Sequence, residues 1–266
     1  MDDSLVITKQ DGHCAWLTLN QPKSRNPLSS QVIAALSAAL ATAYDDAQTR
    51  VIVLAAEGPV FSAGHDLKEM QKTAGESDAA FDARVKQLLA DCARMMMGIV
   101  HAPKPVIACV QGTASAAGCQ LVSVCDLAIA ADDASFCLPG VNIGIFCTTP
   151  LVGVGRNLSR KHAMEMALTG DMFAAAQAQE FGLINRHVPG QKLSQEVKQL
   201  ADKIASRSAQ GIRAGKAAFY QQIDMPLAQS FAFANEAMAC AVTSEGDAEE
   251  GRQAFIDKRP PKWGDA

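Results

Sequence analysis

Two short segments have the residue types to do chemistry with their backbone. The apolar run VIVLAAE (51–57) leads into FSAGHD (61–66), and the apolar run PVIACVQG (105–112) leads into ASAAGC (114–119). In each, Gly and Ala stand where a strand gives way to a helix, so N–H groups at the helix start lack an intrahelical acceptor. Two such groups converging on one oxygen would stabilise charge developing on a carbonyl, helped by the positive end of the helix dipole. The same small residues also suit close strand–helix packing, and spacing alone does not choose between the two. Just after the second junction comes Gln120, an amide that can hydrogen-bond but carries no charge.

These junctions need elements to hold them. CAWLTLN (14–20) alternates and predicts a strand, followed by the turn QPKSRNP. Ser29 or Ser30 is placed to cap an Ala- and Leu-rich helix ending near Asp45. VIVLAAE and PVIACVQG are continuous apolar runs, the pattern of strands covered on both faces. GPVFSAGHDLKEM is expected to be a loop entering a helix. An amphipathic helix follows, from about Ser77 to Val100, with Phe81, Val85, Leu88, Leu89 and Met95 on one side. ASAAGCQLVSV predicts a short helix, DLAIAAD (126–132) a strand, and ASFCLPGVNIGIFCTTP an irregular, turn-rich stretch. From about Ser159 onward the pattern is mostly helical. Alternating strands and helices imply an α/β core over 1–193, with 194–266 an all-helical region.

A chain of 266 residues, 48% hydrophobic and 20% charged, fits one large globular domain or one with a helical appendix. The formal charge of −4 speaks against nucleic acid as a partner, while leaving room for a small basic site for phosphates. The eight cysteines contain no CxxC pair and several lie in apolar runs; the start, MDDSLVITKQDG, has no secretory pattern. The expectation is a cytoplasmic protein with buried thiols. Five scattered histidines lack metal-ligand spacing, so no metal site is expected. The longest apolar stretch, ARMMMGIVHAPKPVIACVQG, is broken by Pro103 and Pro105, so no membrane-spanning helix is expected.

The succession of strings along the chain resembles the enoyl-CoA hydratase/isomerase (crotonase) family. It comprises NQPKSRNPLS, FSAGHDLKEM, PVIACVQGTASAAGCQL followed by CDLAIA, AMEMALTGDMFAAAQAQEFGLIN and EGRQAFIDKRPPKW. Together these span nearly the whole chain, and their order is more specific than any one of them. In detail SAGHDLKE, SAAGCQLV and PGVNIG are similar to the branch called enoyl-CoA hydratase domain-containing protein 3. The resemblance implies an α/β crotonase fold, a spiral of ββα units, whose C-terminal helices build a homotrimer or a dimer of trimers and close over CoA. It implies an acyl-CoA thioester as the ligand, with no cofactor beyond the coenzyme A of the substrate, and a place among the lyases of fatty-acid metabolism.

The resemblance also assigns residues. The backbone amides that hold the thioester carbonyl fall at His65 and Ala117. Family members usually have glycine at the second position, and alanine keeps the N–H usable if its φ is negative. Two glutamates activate water in the family's hydratases; here those positions hold Gln120 and Gly140. A positioned acid or base contributes ~10²–10⁴-fold in rate, so efficient hydration is not expected, while carbonyl polarisation survives. The readings left open are an altered hydratase/isomerase, a thioesterase, a malonyl-type acyl-CoA decarboxylase and a non-catalytic acyl-CoA-binding regulator. A decarboxylating branch carries the same AGHD string, which raises a role for the His65 ring. Cys147 and Asn142 fall in a segment that lines the pocket in relatives; Cys147 reads as an apolar filler, and an amide such as Asn142 does not titrate. The resemblance implies that Asp66 supports the loop by hydrogen bonding and places it among the substrate- and CoA-binding residues. At the CoA end the resemblance places Lys23, Arg25, Leu67 and Lys68, with Phe255 and Lys258 matching a pair that in relatives reaches CoA, often across a subunit boundary. The lysines suit phosphates as point charges, and read equally as solvated surface groups.

Overall fold

The computed structural model describes residues 4–264. The chain opens with strands β1 (Val6–Asp11) and β2 (Cys14–Leu19), then helix α1 (Ser30–Asp45), whose N-cap Ser29 side chain accepts from the Val32 N–H. Three strand–strand–helix units follow. The first is β3 (Val51–Ala56), β4 (Val60–Ser62) and α2 (Asp78–Val100), the helix capped by Ser77. The second is β5 (Val106–Val110), β6 (Thr113–Ser115) and α3 (Ala117–Ser123). The third is β7 (Leu127–Ala131), β8 (Ser135–Cys137) and α4 (Pro150–Asn157). Next come α5 (Arg160–Thr169), β9 (Phe173–Ala174), α6 (Ala175–Phe181), β10 (Arg186–Val188) and α7 (Leu193–Ala205). The described chain ends with α8 (Ala209–Gln222), α9 (Leu227–Thr243) and α10 (Asp247–Ile256).

Each unit sends its first strand to one sheet and its second to another. The larger sheet has the order β1-β2-β3-β5-β7-β10, and the smaller β4-β6-β8-β9. All pairs in the larger sheet are parallel except β1 with β2. The central strands are buried on both faces, which is why Val51–Leu54 and Val106–Val110 show continuous apolar runs instead of alternation. α7 lies across β2, β3, β5 and β7, burying Val197 and Ala201. The ββα spiral expected from the resemblance is therefore present.

Three local expectations are corrected. Val60–Ser62 in the expected loop is strand β4, and Ser135–Cys137 in the expected irregular stretch is strand β8. Ala114 and Ser115, expected at a helix start, belong to strand β6. These strands are three residues long, too short for any period to register, and it is pairing with one another that makes them strands.

α8 and α9 have no buried residue, although they carry large apolar side chains. α8 is tied to the core by a partly buried ion pair. Lys216 donates to Asp126 at 2.7 Å and to the carbonyls of Ile99 and Lys104, while Tyr220 donates to the other Asp126 oxygen at 3.0 Å. Among the described residues no group of acidic, His and Cys side chains could hold a metal ion, and no helix is long and apolar enough to cross a membrane.

Candidate functional site

The two junctions meet at Gly64. Its φ is +89°, and a Cβ there would lie 3.0 Å from both the Ala116 Cβ and the Ser115 carbonyl oxygen, and 3.2 Å from the Ala117 nitrogen. Only glycine allows this approach without strain. Gly118 makes the second joint, since a Cβ on it would fall 2.5 Å from the Ser62 carbonyl oxygen. Beneath them the Ser62 hydroxyl donates to the Asn26 carbonyl at 2.8 Å, and the Leu28 N–H donates to the Gly64 carbonyl at 2.7 Å.

Ala116 turns the chain into α3 with φ 47° and ψ −115°, a conformation rarely adopted by a residue with a side chain. Its N–H donates to the Cys137 carbonyl, and its own carbonyl accepts from the Gln120 N–H, both at 3.0 Å. The strain thus falls on Ala116, and Ala117 is free of positive φ. The N–H groups of His65 and Ala117 have no acceptor among the described residues.

At these junctions two buried polar atoms are left without a partner among the described residues. Gln120 is 7% exposed, and its Oε1 has no hydrogen-bond partner among the described residues. The same is true of His65 Nε2. Burial lowers the His65 pKa, opposed in part by the Glu69 carboxylate, which favours the neutral ring. Gly140 is buried, its N–H donating to Cys147 Sγ at 3.3 Å and its carbonyl accepting from the Ile145 N–H at 2.9 Å. A Cβ at Gly140 would lie 2.4 Å from the Ile145 carbonyl oxygen and 2.9 Å from Cys147 Sγ. Cys147 therefore fills space, and burial raises its thiol pKa. Asn142 is exposed, and its Nδ2 lies 3.5 Å from the Gly170 carbonyl.

The loop after His65 is tied down at several points. Asp66 Oδ1 accepts from the Lys68 N–H at 3.0 Å. Glu69 accepts from the N–H and hydroxyl of Ser30, at 2.8 and 2.9 Å, at the positive end of α1. Arg84 donates to the carbonyls of Glu69 and Gln71 and to the Glu76 carboxylate. Its hydrogen bond is the largest cause holding the Glu76 carboxyl down at about 2.

Lys23, Arg25, Leu67 and Lys68 are all exposed. Phe255, 86% exposed, lies on α10, and Lys258 just beyond it has φ 56°. α10 packs on α8 and α9. Sequence reasoning missed Asn26, a buried hub with φ 50°: its Oδ1 accepts from the Gln21 N–H and its Nδ2 donates to the carbonyls of Glu57 and Val60. The signal was present, since an Asn before Pro27 inside a turn favours such a conformation. Ser62, Glu69 and Arg84 were missed as well, and nothing in their spacing marks them.

The pattern of the family described as enoyl-CoA hydratase/isomerase matches residues 9–266. The enoyl-CoA hydratase domain-containing protein 3, mitochondrial, of Rattus norvegicus is 41% identical over 259 residues, covering 97% of this chain and 84% of that protein. Its Homo sapiens counterpart is 42% identical over 247 residues, covering 93% and 79%. Among solved structures, human enoyl Coenzyme A hydratase domain-containing protein 3 superposes with a TM-score of 0.92 at 39% identity, covering 98% of this chain and 100% of that one. An enoyl-CoA hydratase of Mycobacterium smegmatis gives 0.91 at 42% identity, covering 98% and 99%. The names of the rat and human relatives overturn the expected cytoplasmic location, since both are mitochondrial proteins. Buried thiols and a start without a secretory pattern do not distinguish one reducing compartment from another.

Proposed function

The chain belongs to the enoyl-CoA hydratase/isomerase family, and from that premise we propose that it binds an acyl-CoA thioester at the junction of His65 and Ala117. The two backbone N–H groups receive the thioester carbonyl oxygen and stabilise an enolate. One observation carries this reading: both amides lack an acceptor among the described residues, while Gly64 and Gly118 hold their loops in contact. Each effective donor in such a site is worth ~3–4 kcal/mol of charge stabilisation. Lys23, Arg25 and Lys68 meet the nucleotide end as point charges, with Leu67 beside them. Phe255 and Lys258 complete that end from a neighbouring subunit of a homotrimer or dimer of trimers.

Efficient hydration is not part of this function. Gln120 exchanges no proton with water, and Gly140 has no side chain to do so. Two readings share the enolate site. Loss of CO₂ from a malonyl-type acyl-CoA breaks the Cα–carboxyl bond and leaves its electron pair in the enolate, so no base is needed. The buried Gln120 amide and the half-buried His65 ring, whose neutral form burial favours, suit that reaction, because they offer a carboxylate no fixed cation and favour the dispersed charge of the enolate. The alternative is an acyl-CoA-binding regulator that has lost catalysis. Calorimetry with acyl-CoA esters against the matching free acids tests the shared premise, and equal, negligible binding of both would remove it. Mass analysis after incubation with malonyl-, enoyl- and simple acyl-CoAs then separates the two: CO₂ loss identifies a decarboxylase, and unchanged esters a regulator.

A further inference from the structure

At the other end of the larger sheet the charges are arranged differently. The His65 and Ala117 junctions follow the C-terminal ends of β3 and β5, whereas Pro105 and Asp126 immediately precede β5 and β7. Against these N-terminal strand ends α7 and α8 leave a cleft of about 540 Å³. Its floor is aliphatic: Pro105, Leu127, Leu200, Ile204 and Ile212. Its only carboxylate among the described residues, Asp126, is already closed on Lys216 at 2.7 Å. A smaller depression shares Pro105, Ile204, Arg207 and Ile212 with it and continues to Arg213.

Lys203, Arg207 and Arg213 are exposed on this rim, and none has an ion-pair partner or a side-chain hydrogen bond among the described residues. The neighbouring cations are committed elsewhere: Arg50 donates to the carbonyls of Ala205 and Gly264, and Lys104 to those of Ala43 and Asp46. Acidic residues outnumber basic ones in this chain, 28 to 24. A run of uncompensated cations over an aliphatic floor is therefore a local feature, opposite in sign to the molecule as a whole. Guanidinium groups pair with carboxylate or phosphate oxygens, and the floor gives an alkyl chain a surface to cover.

We propose that the cleft between α7 and α8 binds an anionic amphiphile, a single aliphatic chain on the floor with its carboxylate or phosphate head at Arg207 and Arg213. The volume lies within the ~300–1,000 Å³ of small-molecule sites. The site is separate from the thioester junction and does not depend on the reading given to it.

The test is calorimetric titration of the whole chain with dodecanoate and dodecyl phosphate below their micellar concentrations, and with inorganic phosphate and an acidic amphipathic peptide. Trp263, whose Nε1 donates to the Ser206 carbonyl beside Arg207, gives a parallel fluorescence readout. Either chain-bearing anion should bind, and the preference between them identifies the head group. Arg207→Glu with Arg213→Glu should weaken that binding by about tenfold or more, as expected when charge-assisted contacts become repulsive. Both arginines are exposed and unpaired, so the double variant should keep its melting temperature and its affinity for CoA thioesters. Absence of amphiphile binding, or equal binding by the variant, overturns the proposal, the latter by placing the chain elsewhere. Inorganic phosphate binding as tightly as dodecyl phosphate overturns it in favour of a bare anion site, and preference for the peptide in favour of a protein-docking surface.

Discussion

At the scale of single residues, the two positions that would carry hydratase carboxylates differ from each other. Gln120 keeps the size of a glutamate and loses only its charge, so Gln120→Glu should fold. Gly140 is another matter, because its Cβ space is filled by the Ile145 carbonyl and Cys147 Sγ. Gly140→Ala should already cost ~1–3 kcal/mol by overpacking, and Gly140→Glu more. Native protein should hydrate crotonyl-CoA slowly, and Gln120→Glu with Gly140→Glu should lose thermal stability without gaining the rate of a metabolic hydratase. Following the enoyl absorbance alongside a melting curve checks both, and turnover of the native protein at ~10 s⁻¹ or above would show that another group moves the proton. The substitutions were legible in the sequence, but the obstruction was not, since it arises where a loop folds back seven residues later. His65 gives a second test. Its folded pKa lies below the ordinary 6.5, so the unfolded chain binds a proton that the folded ring refuses. Stability from this residue is therefore whole above about pH 6.5 and is lost as pH falls toward the folded value. Relative to His65→Asn, the native midpoint should drop as pH is lowered below about 6.5; a constant difference would mean that folding leaves the ring's pKa unshifted.

At the scale of elements, the junctions exist because short strands β4, β6 and β8 pair and bring two loops into contact. Sequence periodicity found the long elements, β3, β5, α1 and α2, because burial on two faces or on one helical stripe leaves a pattern over many residues. It could not find three-residue strands whose only cause is the neighbouring strand. The glycines at 64 and 118 were visible, and close packing versus a ligand-facing backbone could not be separated from spacing; the fold uses them for contact and leaves the adjacent amides unpaired. Gly118→Ala should push α3 off the Ser62 carbonyl, and Gly64→Ala should strain a residue with φ +89° against Ala116. Each should cost ~1–3 kcal/mol and weaken CoA-thioester binding beyond the loss expected from stability alone. Ala116→Gly should do the reverse for stability, raising it by up to ~1 kcal/mol, because glycine takes φ 47° without penalty. Chemical denaturation with calorimetry on the three variants decides the matter: unaltered thioester binding in Gly64→Ala and Gly118→Ala would separate these joints from the ligand.

At the scale of the whole molecule, the C-terminal helices are unfinished as a monomer. Leu227 is 74% exposed, Phe231 64%, Met238 64% and Phe255 86%, and α8 and α9 bury no side chain although they are 14 and 17 residues long. Single apolar groups on a surface are ordinary, whereas a succession of large ones over neighbouring helices is what the proposed assembly would bury. The Lys216–Asp126–Tyr220 cluster ties one side of α8 to the core, which leaves its exposed faces and those of α9 available to another copy. Each Leu or Phe taken out of water by such a copy contributes ~1.5–3 kcal/mol, repeated at every symmetric contact. Light scattering at micromolar concentration should therefore give the mass of a trimer or of a dimer of trimers. Leu227→Lys with Phe231→Lys should shift that mass toward the monomer while leaving the core's circular dichroism intact, since neither side chain packs inside the protomer. Phe255 and Lys258 are expected to reach CoA only from a neighbour, so the dissociated variant should also bind CoA thioesters more weakly than the assembly. A monomeric native mass would remove the assembly reading, and a dissociated variant with full thioester affinity would confine the nucleotide end of the site to one protomer.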